Sequence, residues 1–256
     1  MRAVALSRDR AISAASVVGL LVAWQALASA HLLPALWISS PGDVIGAAGR
    51  LVGQGELAQD IVVSTRTYFI GMAWVLAVGL PLGVIVGWYD DLRAAAWPFV
   101  SALNAVPRVA LFPLFVLGLG IGVRSIEAMV FFSALLPVVL NTASGVTQLD
   151  PALLRLARSF GASDRQVFRT IALPSALPLT LAGLRLATGR GLIGLVVGEL
   201  WVGQSGLGYL VASAGQRFAT AELLVGALCV TAAGVAIIQG LRGLERRFEA
   251  WRPAHA

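Results

Sequence analysis

Residues 150–174 read DPALLRLARSFGASDRQVFRTIALP and lie between two long apolar segments. Asp150 followed by a proline is typical of a helix start, because Asp caps free amides and proline fits the first helical position. Gly161 predicts the end of that helix, and Ser163 with Gln166 forms the capping-box pattern of a second one. The stretch therefore predicts two short helices joined at a glycine and too polar to enter a bilayer.

The rest of the chain is apolar enough to be embedded in a membrane. It has 256 residues, of which 58% are hydrophobic and 12% charged, with a mean hydropathy of +0.83, whereas soluble domains are about 25% charged. A transmembrane helix needs about 20 apolar residues. We expect one all-α membrane domain over residues 1–256, with six spans near residues 11–30, 67–88, 95–119, 125–144, 176–200 and 221–241.

The distribution of arginine predicts the orientation of these spans. Twelve of the 19 basic residues lie before the first span, between the second and third, between the fourth and fifth, or after the sixth. Because positive charge favours cytoplasmic loops, we expect both termini and residues 150–174 to be cytoplasmic. An alternative for the first span is a signal peptide, since residues 28–30 (ASA) resemble a cleavage site. The apolar run is longer than such peptides need, which favours a membrane anchor.

Several kinds of chemistry are excluded by composition. All 19 basic residues are arginine, so the chain has no lysine for a P-loop or a Schiff base. Cys229 is the single cysteine, which excludes an internal disulfide and a thiolate zinc cluster. His31 and His255 are too far apart to suggest a helical metal pair. A net charge of +6 without a basic, aromatic face does not predict nucleic-acid binding. We expect no catalytic residue and no metal site.

Residues 150–174 resemble the cytoplasmic signature of ABC importer permeases: Glu-Ala-Ala, three residues, Gly, nine residues, Ile-x-Leu-Pro. Both spacings are kept here, with Arg155 and Leu156 replacing the Glu and the first Ala of the family. Further short runs resemble the nitrate, sulfonate and taurine type of permease and follow its order. These are residues 38–41 (ISSP), 105–114 (AVPRVALFPL), 141–142 (NT), 183–187 (GLRLA), Glu199 and 205–210 (SGLGYL).

The resemblance implies a type I ABC importer permease fold, with short cytoplasmic coupling helices, in a bacterial inner membrane. The partners it implies are a second copy of the chain, two ABC ATPase subunits and an extracytoplasmic solute-binding protein. ATP and Mg are then held by the ATPase, and this chain is non-catalytic and carries no cofactor. The residues implied to couple to the ATPase are Arg155, Leu156, Ala157, Phe160, Gly161, Ala162, Ser163, Asp164, Ile171, Leu173 and Pro174.

Polar residues within or near the predicted spans are candidates for a translocation pathway or gate. An ionisable group at the membrane centre costs about 2.5–3.5 kcal/mol on insertion scales and therefore faces a cavity or a partner. Each candidate also has a structural interpretation: bonding to carbonyls freed by proline, snorkelling to the membrane surface, helix–helix hydrogen bonding, or, for Glu199, a capped and solvated position. The candidates are Asn104, Arg108, Asn141, Arg185, Arg190 and Glu199.

Two alternatives remain open at the level of sequence. The predicted helix pair of residues 150–174 is also typical of an amphipathic element lying on anionic headgroups. The bundle as a whole is compatible with a secondary transporter or channel that acts without an ATPase, although such carriers usually have an acidic residue within the membrane for the coupling ion. The excess of arginine suits a small anionic solute of the sulfonate, taurine or nitrate class.

Overall fold

The computed structural model describes residues 2–30 and 39–248, while His31, Ile38 and His255 lie outside these ranges. The described chain is built from helices joined by short connections. In chain order they are α1 (Arg2–Ser29), α2 (Pro41–Gly53), α3 (Glu56–Trp88), α4 (Asp90–Ala105), α5 (Phe112–Leu119), α6 (Val123–Thr147), α7 (Pro151–Ser159), α8 (Asp164–Val202), α9 (Leu207–Gln216) and α10 (Thr220–Phe248).

Helix α6 forms the centre of the bundle and packs against α3 and α8. Glycines lie where these helices touch: a Cβ added at Gly83 would meet the Thr142 Cβ at 2.7 Å, and one at Gly183 would meet the Asn141 Cβ at 2.5 Å. Small residues allow such close approach in a membrane, where lipid is as apolar as the side chains. Comparable contacts to α6 are made by Gly71, Gly87, Gly194 and Gly198.

Most of the predicted spans coincide with long helices. Within the described ranges, four helices are long and apolar enough to cross a membrane: α3, α6, α8 and the Thr220–Gly243 part of α10. They contain the second, fourth, fifth and sixth predicted spans. The first predicted span lies almost wholly in α1 (Arg2–Ser29), in which Ala15–Ser29 is the apolar stretch found among the described residues. The six-span count and the orientation of the termini therefore stay predictions.

The third predicted span, residues 95–119, is a bent pair of helices, and its prolines at positions 107 and 113 predict such an interruption. Helix α4 ends at Ala105, a short 3₁₀ turn covers Arg108–Leu111, and α5 follows at 91° to α4. Val106 is extended, with φ −73° and ψ 129°, because the residue before a proline avoids helical geometry. Pro107 also has no N–H to donate. The chain thus bends sharply at this pair of residues.

The predicted boundary between a second short cytoplasmic helix and the fifth span is also wrong. Both belong to α8, which runs without a break through Asp164–Val202. A π-helical segment, Phe168–Ala172, lies inside it, and the Leu173 N–H donates to the carbonyl of Phe168, five residues back. This segment ends directly before Pro174, which lacks an N–H. A local change of hydrogen-bond register therefore carries the helix past the proline.

Helix α2 occupies the connection between the first two predicted spans, residues 31–60, where prolines and glycines predict an external loop with a short surface helix. It begins at a capping box in which the Ser40 Oγ accepts from the Asp43 N–H at 3.1 Å. Its apolar face is buried rather than superficial, since Val44, Ala47 and Leu51 pack against α9 and α10. The loop is also shorter than predicted, because α3 already begins at residue 56.

We expect Gly183→Ala to destabilise the bundle by about 1–3 kcal/mol, because the new methyl group must displace Asn141 or the carbonyl of Pro137. The matched control is Gly189→Ala on the same helix, where an added Cβ meets nothing within 4 Å. That variant should be neutral or stabilising by about 0.5–1 kcal/mol, as for glycine in a helix interior. Thermal unfolding of the solubilised chain measures both, and an equal Tm for the two variants would contradict close packing at Gly183.

Candidate coupling segment and buried polar cluster

Helix α7 has a capped start and a glycine-terminated end. The Asp150 Oδ1 accepts from the Ala152 N–H at 2.7 Å. At the other end, the Ala162 N–H donates to the Ala157 carbonyl at 3.0 Å, and Gly161 has φ +74°. This is a Schellman ending, which glycine adopts without the steric penalty of a Cβ. The predicted helix end at Gly161 is confirmed.

The start of α8 is held equally firmly. The Gln166 N–H donates to the Ser163 Oγ at 3.4 Å, while the Ser163 N–H donates to the Gln166 Oε1 at 2.8 Å. This confirms the predicted capping box. One turn later Phe168 packs edge-on against Trp88, with ring centroids 4.9 Å apart, so the segment is also fixed to the end of α3. Residues 150–174 therefore form a stiff corner.

This corner presents an apolar surface that the described residues do not cover. Phe160 is 82% exposed, Leu156 55% and Leu153 45%. Arginines surround this apolar surface, and the ion pair between Arg158 and Asp164 is long, at 3.9 Å, and solvated, so it contributes little. Of the predicted coupling residues, the structure exposes Arg155, Leu156, Phe160, Gly161, Ser163, Asp164 and Leu173, and leaves Ala157, Ala162, Ile171 and Pro174 half-buried.

At the other end of α8, Glu199 lies in a buried polar cluster. Its side chain is 1% exposed. The Ser64 hydroxyl of α3 donates to the Glu199 Oε1 at 2.7 Å and accepts from the Leu207 N–H at 2.7 Å. The Gly208 N–H donates to the Glu199 Oε2, also at 2.7 Å. Burial of a carboxylate requires such hydrogen bonds, because an unpaired one would strongly oppose folding. The solvated interpretation of Glu199 is therefore wrong.

Asp60 completes the cluster from α3. It is 8% exposed, and its Oδ1 accepts from the Gly206 N–H at 2.6 Å. Gly206 has φ +111°, and a Cβ there would lie 2.5 Å from the Glu199 Oε1, so only glycine fits. Three successive amides at the start of α9 are thus bonded to side chains of α3 and α8, which satisfies donors that a helix start leaves free.

Sequence reasoning missed Asp60 and Ser64. Residue 60 was assigned to the external loop, and the partners of Asp60 and Ser64 lie 146 and 135 positions away in the chain. A signal was present, since Asp60 and Ser64 are spaced by four residues and so share one face of a helix. Asp60 and Glu199 each accept from an amide at the start of α9, so this pair of carboxylates caps that helix.

Three of the predicted pathway residues lie together at the bend after α4. The Arg108 Nη2 donates to the Asn104 Oδ1 at 3.0 Å. The Arg108 Nε is buried and makes no hydrogen bond within the described chain. Arg190 of α8 lies near enough for its charge to repel that of Arg108. Asn104 and Arg190 are exposed, so this face is open for a further group.

Asn141 and Arg185 occupy different surroundings. The Asn141 Nδ2 donates to the carbonyl of Pro137 in its own helix at 2.8 Å, and Gly183 packs directly on its Cβ. This geometry favours the packing interpretation of Asn141. Arg185 is half-buried on α8.

Comparison of the sequence with known families gives a match over two thirds of the chain. Residues 79–250 match the family described as the inner membrane component of binding-protein-dependent transport systems. The matched region includes α4 to α10 and the whole of residues 150–174.

Individual relatives extend this similarity. The taurine transport system permease protein TauC of Escherichia coli K12 is 32% identical over 251 residues, covering 96% of this chain and 91% of that protein. SsuC of the same organism, described as an aliphatic sulfonates transport permease, is 32% identical over 241 residues and covers 93% and 90%. The fold is similar to a chain of the MetNI methionine ABC transporter, with a TM-score of 0.56, 20% identity and coverage of 72% and 95%.

We expect Ser64→Ala to destabilise the chain, because it leaves the Leu207 amide without an acceptor and Glu199 without one donor. Each buried group left unsatisfied costs about 1–3 kcal/mol. Thr65→Ala is the matched control, since Thr65 is exposed on the next position of the same helix and should change stability by less than about 0.5 kcal/mol. The loss of stability is measured as a lower Tm in thermal unfolding and as faster proteolysis of the connection before α9. Equal behaviour of the two variants would show that the cluster does not hold α9.

Proposed function

The chain belongs to the family of inner membrane components of binding-protein-dependent transport systems, and we propose that it is the permease subunit of an ATP-driven importer. It is a multi-pass protein of the inner membrane. In the proposed assembly, two copies form the transmembrane part, two ATPase subunits bind from the cytoplasm, and a solute-binding protein delivers the solute from outside. This chain does no bond chemistry and holds no cofactor, because ATP and Mg are bound by the ATPase.

The surface of α7 is the observation that carries this proposal. Phe160 and Leu156 are exposed on a corner that is capped on both sides of Gly161. An exposed apolar group on a rigid element, ringed by charge, is typical of a protein-binding site. The surface falls on the signature that this family uses to dock on its ATPase. It therefore supports residues 150–174 as the coupling segment.

Helix α8 offers a physical route from this surface to the membrane. Its 39 residues span about 58 Å at 1.5 Å per residue. One end of α8 lies in the corner formed by residues 150–174, which we call the coupling corner. The other end carries Glu199, which accepts from an amide at the start of α9. Closure of the ATPase pair would displace the corner, and α8 would transmit that displacement as a rigid body. Alternation between two packings in this way is a known solution for transport.

The proposed solute is a small anion of the sulfonate, taurine or nitrate class. Relatives that transport taurine and aliphatic sulfonates support it. Arg108 and Arg190 also support it, since two neighbouring cations on an uncovered face favour an anion between them. We keep Asn104, Arg108 and Arg190 as pathway residues, and Arg185 as a pathway candidate. Asn141 acts through helix packing, and Glu199 acts through the hydrogen bonds that join α3, α8 and α9.

The direct test is to purify the tagged chain from detergent-solubilised membranes and to measure ATP hydrolysis in what accompanies it. The proposal expects a stoichiometric P-loop ATPase whose hydrolysis responds to a solute-binding protein. A lone oligomer without an ATPase in repeated preparations would contradict it and favour the alternative of a secondary carrier or channel.

Gly161→Asp tests the coupling segment within that assembly. The side chain forces a residue with a Cβ into a left-handed conformation, at a cost of about 1–2 kcal/mol, and adds a charge beside Phe160. We expect the variant to reach the membrane but to lose the ATPase on purification. Gly55→Asp is the matched control, because Gly55 has φ +78° and equally open surroundings outside the coupling segment. Retained ATPase with Gly161→Asp would exclude residues 150–174 as the docking site.

Arg108→Gln tests the proposed anion pathway. It keeps the hydrogen bond to Asn104 possible while removing the charge, and we expect taurine uptake in proteoliposomes to fall about tenfold, the value of one charge-assisted hydrogen bond. ATP hydrolysis stimulated by the binding protein should remain. Arg50→Gln on α2 is the control for a distant exposed arginine. Equal taurine uptake by the Arg108→Gln and Arg50→Gln variants would contradict a pathway role and indicate that Arg108 is structural.

A further inference from the structure

A groove between α3 and α6 lies on the surface of the bundle at the end opposite the coupling segment. Its volume is about 240 Å³, below the roughly 300–1,000 Å³ of pockets that enclose whole small molecules. The groove is open along one side and mostly apolar. Its lining consists of Trp74, Val78, Arg124, Glu127, Ala128 and Phe131.

Two opposite charges in this groove have no partner in the described chain. Arg124 and Glu127 are one turn apart on α6, yet neither side chain makes an ion pair or hydrogen bond with any other group that the structure describes. Both line the same groove. An arginine and a carboxylate that are close together and unpaired form a site for a ligand that carries both a negative and a positive group.

The position of the groove matches the boundary between lipid tails and headgroups. Arg124 follows the first residue of α6, where that helix begins its crossing. Gly71 of α3 packs beside Glu127 and Val130. Trp74 is 59% exposed and follows Gly71 by one turn, so it lies deeper in the membrane than Glu127. Exposed tryptophan is enriched at this level of a membrane. The charged end of the groove thus faces the headgroups and its apolar end faces the acyl chains.

We propose that this groove binds one zwitterionic phospholipid with a primary ammonium headgroup, a phosphatidylethanolamine. The phosphate accepts from the guanidinium of Arg124, which suits phosphate through its paired donors. The ammonium donates to the carboxylate of Glu127. One acyl chain lies along Trp74, Val78 and Phe131.

Glu127 is the residue that selects the headgroup. Arg124 alone would attract any phospholipid phosphate. The Glu127 carboxylate repels the extra negative charge of an anionic lipid. The same carboxylate accepts hydrogen bonds from a headgroup that can donate them. A quaternary choline headgroup has no N–H, so phosphatidylcholine gains only the weaker charge attraction.

Native mass spectrometry of the purified full-length chain tests this site. The protein is delipidated and offered equal amounts of phosphatidylethanolamine, phosphatidylcholine and phosphatidylglycerol. We expect phosphatidylethanolamine to be retained about tenfold over the other two, as one charge-assisted hydrogen bond gives. Glu127→Gln should abolish this preference while total lipid binding remains. Equal retention of the three lipids by the unaltered chain, or an unchanged preference in Glu127→Gln, would overturn the proposal.

Three further variants keep the result interpretable. Ala128→Leu fills the groove and leaves both charges in place, so it should lower phosphatidylethanolamine binding without changing net charge. Arg66→Gln, an exposed arginine on α3 outside the groove, should have no effect. Trp74→Cys in a Cys229→Ser background leaves one cysteine, in the groove, and tests whether a second copy of the chain occupies the groove. An efficient disulfide between two copies in membranes would assign the groove to a subunit interface and overturn the lipid site, whereas failure of the importer assay would leave it standing.

Discussion

The close approach of α3 and α8 to α6 is the constraint on which the bundle depends. Within a membrane the helices gain nothing by exchanging lipid contacts for equally apolar protein contacts, so association comes from van der Waals packing at short range. Glycine at positions such as Gly83 and Gly183 makes that range possible, with backbone and side-chain atoms where any Cβ would stand. The three helices consequently behave as one packed unit.

The two ends of this unit differ in the way their polar groups are satisfied. At one end, Asp60, Ser64 and Glu199 are buried and bonded to the amides that begin α9. At the other end, α7 satisfies its own ends through local caps and leaves Phe160 in solvent. The first arrangement fixes neighbouring helices to each other. The second leaves a stiff, exposed apolar surface, which supports the proposal that another protein docks there.

The sequence was most informative where the relevant chemistry is local. Asp150, Gly161 and Ser163 predicted the helix ends at the coupling corner, because a cap acts within three or four residues of itself. The prolines of the third span predicted its interruption after α4, whereas the continuity of α8 through Pro174 was missed, since a proline is compatible with a bend, a start or a bypass. Asp60 and Ser64 were missed for another reason: their partners are distant in the chain and meet only after α3, α8 and α9 have packed.

The π-helical segment Phe168–Ala172 sets the rotational phase of the coupling corner relative to the membrane part of α8. Each residue in an α-helix advances the side-chain direction by about 100°, and a π-turn absorbs one extra residue without lengthening the cylinder proportionately. The face that α7 and Phe160 present therefore depends on the number of residues between Ser163 and Pro174. Loss or gain of one residue here would turn the whole corner about its axis relative to the membrane part of α8.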